Sequence, residues 1–171
     1  MRHAGSSLNE LHFSRDATMP TAINRVIIFA DTMQRIGAPI VDLLIRIALF
    51  RVFFWSGLVK IHDWGATLQL FQYEYMVPLL PPNIAAVLAA ASELGASSLI
   101  LIGLFSRLAA VPLLCLAMVI QFALGAVNPA YNQLEHYLWM VLLLNVITRG
   151  PGLLSVDGVL RQRYAPLANP V

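Results

Sequence analysis

Residues 42–60, with the sequence DLLIRIALFRVFFWSGLVK, decide how the rest of this chain is interpreted. About 20 mainly apolar residues are enough to cross a bilayer as a helix, so this stretch predicts a spanning helix. It also carries Arg46 and Arg51 inside the apolar run. A charged side chain near the centre of a membrane helix costs at least ~2.5–3.5 kcal/mol and usually faces the bundle interior with a partner. Both arginines therefore require partners elsewhere in the chain.

The composition is that of a membrane protein. Hydrophobic residues make up 58% of the 171 residues, charged residues make up 12%, and the mean hydropathy is +0.72. Soluble domains average roughly 45–50% apolar and about 25% charged residues. The net charge of +2 comes without a basic run and does not indicate nucleic-acid binding. The single cysteine, Cys115, excludes an intramolecular disulfide.

The apolar residues are concentrated in four blocks, which predict an all-α, integral membrane four-helix bundle. The predicted spanning helices cover about residues 40–60, 83–104, 108–127 and 134–148. Pro39, Pro81-Pro82 and Gly150-Pro151-Gly152 punctuate them. The four-helix domain is therefore expected over residues 39–158, with tails at residues 1–38 and 159–171.

The segment before the first spanning helix has a helical pattern of its own. Ile23, Val26, Ile27, Ala30 and Met33 recur at helical spacing between residues 22 and 37. This pattern suits a short amphipathic helix on the membrane surface. An ordinary polar lead-in is the alternative.

The positive residues predict the orientation of the bundle, because cytoplasmic loops carry an excess of Lys and Arg. Lys60 stands alone on the opposite side, together with acidic residues. Both termini are therefore expected in the cytoplasm, with the protein in a bacterial-type inner membrane. The eight residues on the cytoplasmic side are Arg2, Arg15, Arg25, Arg35, Arg107, Arg149, Arg161 and Arg163.

The first outer loop, residues 61–82, is long enough to hold a structure of its own. Leu68, Phe71, Tyr75 and Leu79 share a helical face. Tyrosine favours the headgroup region, so we predict a short interfacial helix that ends at Pro78.

Depth along each helix, at about 1.5 Å per residue, predicts which polar residues meet. If each helix leaves the membrane at its predicted end, Arg51 and Glu93 lie at nearly the same depth and form a buried ion pair. Asn145 lies at a similar depth and Gln121 nearer the outer side, so both are candidates for a polar network. Arg46 is expected to be structural, pairing with Asp42 at i, i+4 or reaching the headgroups.

A second polar cluster is expected at the outer surface. Two histidines and three carboxylates near one face can in principle bind a divalent metal, but no spacing fixes a geometry, and we predict no metal. No motif of enzymatic catalysis is present, and no histidine pair suits a haem. The members of this cluster are Lys60, His62, Asp63, Glu74, Glu135 and His136.

Three stretches have a recognisable order and spacing. They are residues 46–60, which end in Ser56-Gly57-Leu58-Val59-Lys60; residues 71–107, with Glu93-Leu94-Gly95; and residues 150–157. Together they resemble the DoxX family of small four-helix membrane proteins over about residues 40–158. The motif positions are Arg46, Arg51, Gly57, Lys60, Glu93, Gly103, Arg107, Gly150, Gly152 and Asp157.

The resemblance implies a membrane subunit or accessory of a quinone-linked or thiol and oxidative-stress oxidoreductase system. Its cofactor would be a quinone rather than a covalently bound group. Its partners would be membrane lipids and an oxidoreductase subunit, with a homo-oligomer left open. The alternatives are a non-catalytic anchor for an extracytoplasmic partner and, third, a small transporter or metal-handling protein.

Overall fold

The structure is a computed structural model that describes residues 21–77 and 79–164, with side chains at residues 25–77 and 79–163. Three predicted features lie outside these residues in whole or in part. They are the N-terminal tail up to residue 20, the helix end at Pro78, and the C-terminal tail from residue 165 onward. Every regular element in the described part is helical, so the predicted all-α class is confirmed.

Six α-helices follow one another in the described part of the chain. Between α2 and α3 runs the π-helical turn Leu70–Tyr75, and a 3-10 turn, Pro129–Tyr131, precedes α5. Helix α3 contains a π-helical segment at Ser92–Ala96, and α4 contains one at Val119–Leu124. The helices are α1 (Thr21–His62), α2 (Trp64–Gln69), α3 (Pro82–Ile102), α4 (Ser106–Val127), α5 (Leu134–Arg149) and α6 (Val156–Tyr164).

Two compact units divide the chain between Ile36 and Gly37. In the first unit, residues 21–36 are helical and side chains 25–36 are exposed. The helix predicted for residues 22–37 is confirmed, whereas its position on the membrane surface stays a prediction. The predicted interruption at Pro39 is wrong, because α1 continues through this residue. A proline removes one backbone hydrogen bond, which a helix of 42 residues tolerates.

In the second unit, α1, α3, α4 and α5 pack into a four-helix membrane bundle. Helices α3 and α4 are long and apolar enough to cross a bilayer. Helix α5 has 16 residues, as short as the sequence predicts. All four helices contribute to one core, made of Leu49, Phe53, Ala96, Ile100, Ala109, Ala110, Leu113, Leu143 and Val146.

The predicted interfacial helix is present as α2 and the following π-helical turn. Phe71 is buried against Ala85, Ala86 and Ala89 of α3, with Leu68 and Tyr75 beside them. Leu79 was expected on the same face but is fully exposed. Its left-handed backbone, at φ 69°, lies outside the helix and turns the side chain away.

Arg46 organises the end of the bundle where α3 turns into α4. Its side chain is 1% exposed, and its guanidinium donates hydrogen bonds to the carbonyls of Leu101 (3.0 Å) and Leu154. Helix ends leave carbonyls without partners, and Arg46 satisfies one of them at the end of α3. Neither predicted contact describes it, since it is too buried to reach headgroups and its hydrogen bonds go to carbonyls rather than to Asp42.

Most of the predicted structural motif residues gather at this same end. Gly103 ends α3 with φ +74°, and a Cβ there would collide with Ser155 and lie 2.7 Å from Arg46 Nη1. Asp157 accepts hydrogen bonds from the backbone N–H groups of Phe105 (3.0 Å) and Ser106 (3.2 Å), so it caps the start of α4. The remaining members are Arg107, which donates to the Arg149 carbonyl at 3.3 Å, Gly150 beside it, and Gly152 against Asp42.

The chain after the last bundle helix is also ordered around this end. Helix α6 begins at Val156, so the predicted boundary at residue 158 falls inside a helix. The N–H of Asp157 donates to the Gly103 carbonyl at 2.9 Å, which ties the start of α6 to the α3–α4 turn.

Replacing Arg46 tests its role as a partner of backbone carbonyls. Arg46→Leu should lower the free energy of unfolding by about 1–3 kcal/mol for each carbonyl left without a donor. Arg51→Leu is the matched control, because Arg51 is on the same helix but exposed. It should change stability by less than ~0.5 kcal/mol. Thermal unfolding in detergent measures both, and equal losses would contradict the assignment.

Candidate functional site

One face of α1 carries the residues of this helix that are most deeply buried in the bundle. Arg46, Leu49 and Phe53 are buried, and Ser56 and Lys60 continue the same spacing of three and four residues. Residues spaced in this way share a helix face. The face therefore has a buried guanidinium at one end and an ammonium group at the other.

Gly57 brings α1 and α3 close together beside this face. A Cβ at Gly57 would lie 2.8 Å from Leu94 Cγ and 3.0 Å from Glu93 Cβ. Real Cβ atoms do not approach so closely, so the position requires glycine unless α3 moves. The close approach places Glu93 of α3 within reach of the α1 side chains.

Lys60 and Glu93 form a buried ion pair between these two helices. Lys60 Nζ lies 2.8 Å from both carboxylate oxygens of Glu93. Ser56 joins the pair, because its hydroxyl accepts from Lys60 at 2.9 Å and donates to Glu93 at 3.2 Å. Glu93 is 2% exposed and Lys60 17%, so the carboxylate depends on these two partners for its solvation.

The predicted Arg51–Glu93 pair is wrong. Arg51 is exposed and lies nine positions from Lys60, and nine steps of about 100° place them on opposite faces of α1. The depth estimate also failed, because the end of α1 and the start of α3 do not lie at the same level along the bundle. Lys60 is two residues, or ~3 Å, from the end of α1. Glu93, which contacts it, is eleven residues, or ~16 Å, from the start of α3. Phe71 and its neighbours cover the part of α3 that α1 does not reach.

A cavity of about 600 Å³ adjoins the ion pair. Its wall is mainly apolar, and the polar groups on it are few: Ser56, Lys60, Ser92, Glu93, Tyr75, Tyr131 and His136. Small-molecule sites typically measure ~300–1,000 Å³ with this kind of lining. The other wall residues are Phe71, Val77, Leu80, Ala85, Leu88, Ala89, Pro112, Cys115, Leu116, Val119, Ile120, Leu124 and Trp139.

Each of the three π-helical segments contributes to this wall. The turn Leu70–Tyr75 provides Phe71 and Tyr75, and the segment Ser92–Ala96 provides Ser92 and Glu93. The segment Val119–Leu124 provides apolar residues and carries Gln121 behind them. π-Helical segments are rare and occur frequently at functional sites. Their location therefore marks the cavity as the candidate functional site.

His136 reaches the cavity from α5. It is 6% exposed, and its Nδ1 lies 3.0 Å from Gln121 Oε1. Gln121 in turn donates a hydrogen bond to the side chain of Asn132. Trp139 packs edge-on against the His136 ring with centroids 4.9 Å apart. Gln121 thus belongs to a polar network, as predicted, but its partners are His136 and Asn132 rather than Glu93.

Asn145 does not join this network. It is half-buried on α5 and is not among the wall residues. The predicted placement considered depth alone, whereas a cavity residue must also lie on the correct face of its helix.

Two tyrosines border the cavity outside the spanning helices. The Tyr131 hydroxyl donates to the Glu74 carboxylate, and the Tyr131 and Tyr75 rings meet edge to face at 5.7 Å. Burial and the hydrogen bond to Glu74 raise the pKa of Tyr131. Burial and the neighbouring carboxylates, Glu74 first and Glu93 second, raise the pKa of Tyr75. Both phenols therefore stay neutral donors at physiological pH.

The predicted outer-face cluster is not assembled. Lys60 and His136 face the cavity, while Glu74 accepts from Tyr131. His62 and Glu135 are exposed, and Asp63 caps α2 by accepting from the Ala66 N–H at 2.9 Å. Across residues 21–77 and 79–164, no three His, Cys, Asp or Glu side chains group as metal ligands would.

Some members of the site were not predicted from the sequence. The spacing of Ser56 and Lys60 after Arg46, Leu49 and Phe53 contained the signal for the α1 face. Tyr131, Asn132 and Trp139 had no comparable signal, because their role depends on how α4 and α5 pack.

Comparison with known proteins points to one family. A family model described as DoxX matches residues 41–126, a segment that includes Lys60, Glu93 and Gln121. An uncharacterized protein of Haemophilus influenzae is 32% identical over 139 residues, covering 77% of this chain and 91% of the relative. No solved structure matches the chain.

Gly57 and Gly95 form a matched pair for testing the close approach of α1 and α3. Gly57→Ala should lower the free energy of unfolding by about 1–3 kcal/mol, because the new methyl group overlaps Leu94. Gly95→Ala meets nothing within 4 Å and should raise it by about 0.5–1 kcal/mol. Chemical unfolding in mixed micelles measures the two effects. A destabilised Gly95→Ala variant would show that any added methyl group is harmful.

A double-mutant cycle tests which cation forms the ion pair with Glu93. Lys60→Met should lower the free energy of unfolding by about 3–5 kcal/mol, because it leaves a buried carboxylate without its cation. Adding Glu93→Gln should restore part of this loss, giving a coupling energy of about 0.5–3 kcal/mol. Arg51→Met and Glu93→Gln should be additive within about 0.5 kcal/mol. Coupling of Glu93 to Arg51 rather than to Lys60 would refute the observed pairing.

Proposed function

Because this chain belongs to the DoxX family of membrane proteins, we propose that it binds a quinone in the cavity as the membrane subunit of a quinone-linked oxidoreductase system. The observation that carries the proposal is the buried Lys60–Glu93 pair on the wall of a largely apolar cavity. A charged pair in an apolar interior is expensive to maintain, so it favours a functional role over simple packing.

The wall residues suit a flat ring with oxygen atoms at its edge. Lys60 and Tyr75 supply hydrogen-bond donors for ring carbonyls, Glu93 supplies an acceptor for a hydroxyl of the reduced ring, and His136 is able to act as either. Trp139 and Phe71 supply aromatic surface against which a ring packs. The volume of about 600 Å³ accommodates a substituted ring.

A quinone, when bound, accepts two electrons and two protons in its reduction. The residues of this chain bind and orient the ring and provide proton-carrying groups beside it. Ser56 holds the Lys60 ammonium and the Glu93 carboxylate in one arrangement through its two hydrogen bonds. The Gln121–Asn132 pair holds the His136 ring through Nδ1 and leaves Nε2 without a hydrogen bond to the described residues.

The orientation of the bundle is part of the same proposal. The excess of arginine at the α3–α4 turn and after α5 favours a cytoplasmic location for that end. The ion pair and cavity then lie in the outer half of an inner membrane. An oxidoreductase partner would approach from the extracytoplasmic side.

A non-catalytic anchor for an extracytoplasmic partner is the second candidate. Tyr73 is 71% exposed beside Glu74, and Met76 and Leu79 on the same segment are 61% and 101% exposed. Exposed aromatic and apolar side chains at one end are typical of a contact surface. Photo-crosslinking from Tyr73 in intact membranes that captures no protein would argue against it.

Quinone binding is testable with the Trp139 side chain as the reporter. In a Trp55→Phe, Trp64→Phe chain, Trp139 is the remaining tryptophan. Duroquinone titrated into lipid nanodiscs should quench its fluorescence saturably. The double variant Lys60→Met, Glu93→Gln, which leaves no buried charge unpaired, should weaken binding by at least about tenfold. It removes the ammonium group that donates to a quinone carbonyl, and a hydrogen bond involving a charged group is worth roughly 1.5–3 kcal/mol.

Arg51→Gln is the control for this titration, because Arg51 is exposed and is not among the wall residues. It should leave the quenching curve unchanged. Quenching that rises linearly with quinone concentration, or that is the same in the Lys60→Met, Glu93→Gln variant, would overturn the proposal.

A further inference from the structure

Helices α3 and α4 touch along only part of their length. Near their connection, Ile100 of α3 and Ala109, Ala110 and Leu113 of α4 are buried in one core cluster. Further along, the cavity lies between them, with Ala85 and Ala89 on the α3 side. These alanines are too small to fill the space, although Leu116 of α4 packs against them.

The rim of the cavity on this side is exposed. Leu88 is 51% exposed, and Pro112 and Cys115 are also exposed, yet all three belong to the cavity wall. Leu88 lies ~9 Å along α3 and Cys115 ~14 Å along α4 from their first residues. Both helices are long and apolar enough to cross a bilayer. An exposed rim at this depth faces acyl chains rather than water.

We propose that the cavity opens sideways into the bilayer between α3 and α4, and that its ligand is an amphiphile whose polar ring enters while a hydrocarbon tail stays in the opening. The inference rests on the proposed function for the ring and adds the tail and the route. The ring reaches the Lys60–Glu93 pair past Leu88, Ser92 and Cys115, the residues on the two edges of the gap.

The opening has a specific energetic signature. A tail that extends into lipid exchanges one apolar environment for another, so it adds little affinity once the ligand has partitioned into the membrane. A closed cavity would instead reject the tail by steric overlap. Tolerance of the tail, rather than a gain from it, therefore distinguishes an opening from a closed pocket.

The position of the tail is the observation that tests the opening. The experiment compares decylubiquinone with 2,3-dimethoxy-5,6-dimethyl-1,4-benzoquinone, a tailless quinone that has the same ring and a methyl group in place of the decyl chain. Binding is measured by Trp139 quenching at matched mole fractions in nanodiscs. In the wild-type chain, a decylubiquinone analogue with a diazirine near the ring end of its tail is photolysed, and the crosslinked residues are identified by mass spectrometry.

Both quinones should bind with affinities within about threefold of each other, because they differ only in a tail that lies in lipid. The diazirine should crosslink to rim residues such as Leu88, Pro112 and Cys115 rather than to the interior wall. Leu88→Trp narrows the rim and should weaken decylubiquinone by at least about tenfold relative to the tailless quinone. Val87→Trp is the matched control, since Val87 is 52% exposed but is not on the wall. For these two variants, binding is measured by competition with a photoreactive quinone, because the added tryptophan would mask Trp139.

The outcomes separate the two proposals. Binding of the tailless quinone without decylubiquinone, or crosslinks of the tail confined to the interior wall, would overturn the sideways opening and leave quinone binding in place. Absence of saturable binding by either quinone would overturn both proposals. The crosslinking result needs no substitution, so it stands even if Leu88→Trp fails to fold.

Discussion

The ion pair between Lys60 and Glu93 is the interaction on which the arrangement of α1 and α3 depends. The Glu93 carboxylate is almost completely buried, so removing Lys60 would leave a buried charge without its counter-ion. Two residues one turn before Lys60 support this pair. Ser56 forms hydrogen bonds with both Lys60 and Glu93, and Gly57 allows the two helices to approach closely. Short side chains at these two positions are therefore as necessary as the charges themselves.

The same helix face carries a second buried cation at its other end. Arg46 binds the carbonyls of Leu101 and Leu154, and Gly103, Ser155 and the Asp157 cap of α4 pack around it. Arg46 is 1% exposed among these groups, whereas Lys60 lines a cavity at the other end. The contrast assigns the two cations different roles. Arg46 satisfies backbone groups that a helix end leaves without partners, and Lys60 lines a space large enough for a ligand.

The cavity combines features that are individually common and together unusual. Three π-helical segments meet at its wall, a buried carboxylate is neutralised by one lysine, and a buried histidine is held by an amide pair. π-Helical turns are less favourable than α-helical ones, so their presence at one place indicates a requirement other than stability. Binding of a polar ring in a lipid-facing bundle is the function that best accounts for them.

The sequence by itself determined the class of the protein, the bounds of α3, α4 and α5 to within about two residues, and the existence of a helix in the first outer loop, because hydropathy and breakers act locally along the chain. It also identified Glu93 and Gln121 as buried polar residues. Only the tertiary structure decided that Glu93 meets Lys60 instead of Arg51, and that His136 leaves the outer surface for the cavity. A partner across two helices depends on the rotation of each helix and on their axial offset, and neither quantity can be read from depth along a single helix.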